Sequence, residues 1–123
     1  MLCPITERPP PPLWQTCIMI SATFIFAPGT YDDEFHRLDA IIMAVAEANE
    51  GYKGCERWWN EDRTQRSVVY YFDSPEALRA FSTDETHKQA KREYARWYEG
   101  YRVVIAEVLS THTAGTLEHP LNR

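Results

Sequence analysis

The hydrophobic and polar positions divide the chain into six regular segments. From Thr16 to Phe26 the residues are apolar, β-branched or aromatic without polar alternation, which predicts a strand covered on both faces. "APGTYDDEF" then reads as a turn and a helix start. Thr30 is the expected N-cap, with Asp32, Asp33 and Glu34 in the first turn, where the helix dipole favours negative charge. Phe35, Leu38, Ile42, Val45 and Asn49 follow at helical spacing and Gly51 suits the stop, so the pattern predicts one amphipathic helix over 31–50. "YKGCERWW" and "RSVVYYF" predict two strands joined by the polar "NEDRTQ", an antiparallel hairpin with a longer loop. A second helix starts at "DSPEALRAF", with Ser74 as its cap and Pro75 in its first turn. "STDETH" interrupts it, Thr83 or Asp84 recaps it, and the run is expected to continue to about Glu99 and end at Gly100. "YRVVIAEVLST" is the last strand. The residues from His112 onward show no pattern.

The order β-α-β-β-α-β predicts an α+β fold of the ferredoxin-like type, four strands with two helices on one face. Strand one is apolar on both sides, and Trp58, Trp59, Tyr70, Tyr71 and Phe72 load both faces of the hairpin. The sheet face without helices therefore needs cover, and a second copy of the chain is the economical one. A homodimer is expected. The domain spans 16–111, between a leader over 1–15 and a tail over 112–123. Four consecutive prolines make the leader extended, with Leu13 and Trp14 as anchors for a partner subunit or as parts of a loose end.

At 123 residues the chain makes one domain with one core. A net charge of −5 without a basic run argues against nucleic acid as a partner. The three cysteines, Cys3, Cys17 and Cys55, form no CxxC pair, and an odd count suits a reduced compartment. "CIMISATFIFA" lacks a basic region before it and is too short to span a bilayer, so no membrane is expected and the cytoplasm is the expected location. His36, His112 and His119 lie far apart and share no ligand spacing, so no metal site is read. No glycine-rich phosphate loop or nucleophile elbow is present, which leaves nucleotide and flavin sites without sequence support.

Three pieces carry a resemblance: Gly54-x-Glu56-x-Trp58 on strand two, the strand-to-helix step "VVYYFDSPEALRAF", and "DETHKQAKREYARWY", where a histidine follows a helix break. Over about Cys17 to Leu109 the chain resembles the antibiotic biosynthesis monooxygenase-like members of the dimeric α+β barrel superfamily. The resemblance implies a dimer with one pocket per chain between helices and sheet. Some members oxidise polycyclic phenols with molecular oxygen and no cofactor, others bind and degrade haem, and further relatives cyclise polyketides or only bind ligands. The haem-degrading members carry their axial histidine where this chain has Ala90, one turn past His87. They also tend to have an asparagine on the first strand, where this chain offers Ser21 and Thr23.

Within that frame the stripe His87, Lys91, Tyr94, Tyr98 and the overlapping stripe Ala90, Tyr94, Trp97 place aromatic groups toward the sheet. His87 is the expected catalytic base, able to take a proton from a phenol or to meet haem iron as a neutral imidazole. Trp58, Tyr70, Tyr94 and Trp97 are the expected clasp for a flat ring. Glu56, if buried, would have a raised pKa and could bond a substrate hydroxyl or orient His87. Each has a plainer alternative: the aromatic stripe as core, His87 as a surface or capping residue, and Glu56 paired with Arg57, Arg66 or Arg102. The leading expectation is a small dimeric oxygenase acting on a flat aromatic molecule without metal or flavin. The alternatives are a non-catalytic barrel for a hydrophobic ligand, a haem-binding relative and a polyketide cyclase.

Overall fold

The computed structural model describes residues 18–122, so the proline run, Leu13, Trp14, Cys3 and Cys17 lie outside it. Strand β1 (Ile20–Pro28) leads through a turn to helix α1 (Asp33–Ala48). Strands β2 (Tyr52–Trp59) and β3 (Arg66–Phe72) form the hairpin. Helices α2 (Pro75–Ser82) and α3 (Glu85–Arg92), a short 3-10 turn (Tyr94–Arg96) and strand β4 (Tyr98–Glu107) complete the plait. The sheet order is β2-β3-β1-β4 with every neighbour antiparallel, the β-α-β-β-α-β arrangement with its second helix broken in two.

Local chemistry sets the boundaries, and three differ from the expected ones. Helix α1 is capped by Asp32 rather than Thr30: Asp32 Oδ1 accepts the Phe35 N–H at 2.9 Å. Ser74 caps α2 by accepting from Ala77 N–H at 3.1 Å, and Asp84 recaps the chain by accepting from Thr86 N–H at 3.0 Å. The run expected to reach Glu99 stops at Arg92, and Gly100 lies inside β4. Tertiary bonds cause the early stop. The Trp97 carbonyl accepts from Gly29 N–H at 2.6 Å, and the Trp97 indole N–H donates to Asp32 Oδ1 at 2.8 Å. These bonds draw Trp97 out of helical geometry and into the floor under α1, where it is 2% exposed.

Register fixes what each sheet face carries. Ala22 lies between Tyr70 and Ile105, and Phe24 between Val68 and Val103. These residues point toward the helices, where Ile20, Ala22, Ala46, Phe72 and Phe81 form the buried core. Asn49 ties the end of α1 to α2: its Nδ2 donates to the Ala77 carbonyl at 2.9 Å while its Oδ1 accepts the Gly51 N–H at 2.9 Å. A side chain at Gly51 would collide with Ala77 and the Asp73 carboxylate, so this close approach of α2 requires glycine. The β2–β3 register shifts between Tyr52 and Gly54, with Gly54 at φ 118°, the backbone of a bulge.

The other sheet face is partly covered by the chain's own end. His119 packs edge-on against Tyr71, with ring centroids 4.5 Å apart, and Pro120 in the terminal 3-10 turn is buried. Among the described residues no helix is long and apolar enough to cross a membrane.

Candidate functional site

Between the helices and the inner sheet face lies a cavity of about 540 Å³. Its sheet wall is Ala22 and Phe24 of β1, Tyr70 of β3, and Tyr98, Tyr101, Val103 and Ile105 of β4. Helix α1 contributes Asp39 and Ile42, α2 contributes Leu78, Phe81 and Ser82, and α3 contributes His87, Ala90 and Lys91. Tyr94 closes the remaining side and meets Tyr101 edge-on, their ring centroids 5.0 Å apart. A size of this order, an apolar floor and a few inward polar groups are the usual features of a small-molecule pocket. A shallower depression of about 280 Å³ between Ile25, Gln65 and Arg102 contains no histidine or carboxylate.

His87 enters the cavity from the first turns of α3, held edge-on against Phe81 with ring centroids 4.8 Å apart. Its Nδ1 is sealed from solvent and has no hydrogen-bond partner among the described residues. Burial, and next the positive charge of Lys91, lower its pKa below the ordinary histidine value, while Asp84 acts the other way. The imidazole is therefore neutral at pH 7. Burial raises Tyr70 to about 12, with the fields of Cys55 and Asp39 adding to the effect and that of Arg57 opposing it. Burial also raises Tyr98, helped by neighbouring Tyr31 and Asp39. Both phenols keep their protons and remain available as hydrogen-bond donors.

Of the residues expected at the site, the structure gathers His87, Tyr70 and Tyr94 around the cavity and leaves three elsewhere. Glu56 and Trp58 stand on the opposite sheet face. The Glu56 carboxylate accepts from the Tyr71 hydroxyl at 2.8 Å and lies 3.8 Å from His119 Nε2, so its partners are not the arginines considered from sequence. Trp58 is 63% exposed. Trp97 is core, its indole spent on Asp32. Asp39, Phe81, Tyr101 and the β4 valine and isoleucine are lining residues the sequence reading passed over. Asp39 lies four residues after Phe35 and three before Ile42, a charge on the apolar stripe of α1, and that oddity was the available signal.

No protein-family model matches the chain, and no curated protein matches it. Solved structures do. SnoaB, a cofactor-independent oxygenase from Streptomyces nogalater, superposes with a TM-score of 0.61 at 10% identity, over 76% of this chain and 96% of that one. The chain has the fold of the antibiotic biosynthesis monooxygenases. A protein of Nitrosomonas europaea provisionally named as one superposes at TM-score 0.58 and 14% identity, over 74% of this chain and 90% of that one. Rv0793 from Mycobacterium tuberculosis does so at 0.58 and 14%, over 77% and 99%. Of the positions weighed for haem, His87 lines the cavity, whereas the others bring no ligand to it. Ala90 faces the cavity with no ligand atom. Ser21 and Thr23 alternate with the cavity-facing Ala22 and Phe24 and so lie on the outer face.

Proposed function

We propose that the protein is a cofactor-independent monooxygenase of a flat phenolic substrate, acting as a cytoplasmic homodimer with His87 as base. The observation that carries this reading is a half-buried, neutral imidazole set into an aromatic-walled cavity. SnoaB, a cofactor-independent oxygenase, has the same fold, which supports the class. Tyr70, Tyr94, Tyr98, Tyr101, Phe24 and Phe81 surround a space in which a planar ring system meets ring faces and edges. The phenol gives its proton to His87. The phenolate passes one electron to dioxygen, and the aryloxyl radical and superoxide combine to form a carbon–oxygen bond. His87 returns the proton to the resulting peroxide, and loss of water from the hydroperoxide so formed leaves a quinone, so one phenol and one dioxygen become one quinone and one water. No electron donor beyond the substrate is required.

An oxygen electrode with polycyclic phenols tests this. Wild type should consume oxygen in proportion to quinone formed, and His87→Ala should slow turnover by roughly 10²–10⁴-fold, the usual contribution of a positioned acid–base group. Equal turnover in wild type and His87→Ala would remove His87 as base. A second reading, a non-catalytic carrier of hydrophobic molecules, draws on the predominantly apolar floor around Ala22, Ile42, Leu78 and Ile105. It requires saturable ligand binding with no oxygen consumption.

A further inference from the structure

We infer that the cavity is built to hold a planar aromatic anion, with the ligand's oxygen-centred negative charge placed against Lys91 beside His87 on α3. The inference rests on the ligand pocket of the proposed oxygenase and narrows its substrate class to phenols acidic enough to ionise once held beside Lys91.

Lys91 follows His87 by one helical turn, so both side chains lie on one stripe of α3, and both line the cavity. Lys91 is the lining residue with a fixed positive charge, and it forms no ion pair among the described residues. The neighbouring arginines are differently engaged: Arg92 approaches Glu85 at 4.0 Å, and Arg96 bridges Glu93 and Asp32. Lys91 stands at the exposed mouth, where its head group stays hydrated until a ligand supplies the counter-charge.

The remaining polar lining favours the same placement. Tyr70 and Tyr98 stay protonated and His87 stays neutral, so Lys91 and Asp39 are the charged groups of the lining. Their fields act on different groups. Lys91 and the cap carboxylate Asp84 act on His87, whereas Asp39 on α1 acts on Tyr31, Tyr70 and Tyr98. An anionic oxygen is therefore repelled from the α1 side and attracted to α3, while a neutral hydroxyl at the far end of the ring system can donate to Asp39. Lys91 stabilises the phenolate whether the proton leaves to His87 or to water.

Alizarin is a suitable probe, because its phenol and phenolate forms differ in colour and its more acidic hydroxyl ionises near neutrality. The dye is titrated with acid and base in the presence of saturating whole protein, for wild type, Lys91→Met, Lys91→Arg and Asp39→Asn. In wild type the bound dye should ionise about one pH unit lower than free dye, a phenolate fraction ratio changed on the order of tenfold. Lys91→Met should lose that shift, Lys91→Arg should keep it, and Asp39→Asn should enlarge it. Unchanged binding of uncharged anthraquinone by Lys91→Met shows that the cavity survives the substitution. Equal ionisation midpoints in wild type and Lys91→Met, or no binding of alizarin to wild type, would overturn the inference. A Lys91-dependent shift without oxygen uptake on any phenol leaves the anion site standing and removes the oxygenase reading. His87-dependent uptake with no Lys91 effect does the reverse.

Discussion

An imidazole pressed against Phe81, with one nitrogen sealed and a lysine one turn away, resists taking a second proton. The folded pKa of His87 lies below its unfolded value. In the interval between the two, the unfolded chain binds the proton and the folded chain does not. Stability is therefore at its full value above about pH 6.5 and declines as pH falls toward the folded pKa. Denaturant midpoints measured at a series of pH values should show that decline in wild type, and His87→Gln should flatten it. Residue identity made His87, Tyr70 and Tyr94 legible as a group, since helical and strand periodicity put them on inward stripes. Trp97 was misplaced for a physical reason: its periodicity fits α3, but the hydrogen bonds to Asp32 and Gly29 come from residues more than sixty positions away. Glu56 and Trp58 share a face, as their spacing requires, but spacing cannot say which face meets the helices.

At the scale of elements, the bulge in β2 decides that question. With Gly54 at φ 118°, the strand gains a residue, and everything after it turns over relative to Tyr52. Tyr52 packs inward with Phe72, whereas Glu56 and Trp58 face out. A side chain at this φ is strained, so Gly54→Ala should destabilise by about 1–3 kcal/mol, read as a lower urea midpoint with an unchanged slope. A glycine inside a strand pattern is the sequence sign of such a kink. The other elements were legible where local rules and packing agree: Ser74 with Pro75, the recapping Asp84, and the two aromatic-rich hairpin strands around a polar loop. Among the helix caps, only Asp32 displaced an expected residue, Thr30, since it serves the α1 cap and the distant indole together.

Across the whole molecule, the least covered element is β4. Val103, Val104 and Ile105 are 48%, 53% and 51% exposed, on an edge strand whose alternating residues face both layers. An edge that apolar favours association, and the second copy proposed above would be its simplest cover. Val104→Asp should shift the protein from dimer to monomer at micromolar concentration by sedimentation or light scattering. A wild-type monomer under those conditions would remove the dimer from the reading. The C-terminal segment adds what sequence pattern could not show, because a 3-10 turn without periodicity gives no signal until Tyr71 is there to receive His119.

Strand alternation also sorts inheritance. On β1, Ala22 and Phe24 touch the cavity while Ser21 and Thr23 face the other way, so even and odd positions belong to separate tasks. Point changes at one parity can retune what the cavity accepts without disturbing the outer surface, and changes at the other parity can remodel that surface without reaching the cavity. Loss or gain of one residue within β1 would exchange the two sets at a stroke. A lineage of such proteins is thus free to diverge by substitution along its central strand and is held there to constant length, with the bulge at Gly54 and the β1–β4 register shift between Ala27 and Pro28 as places where the sheet has already absorbed an extra residue.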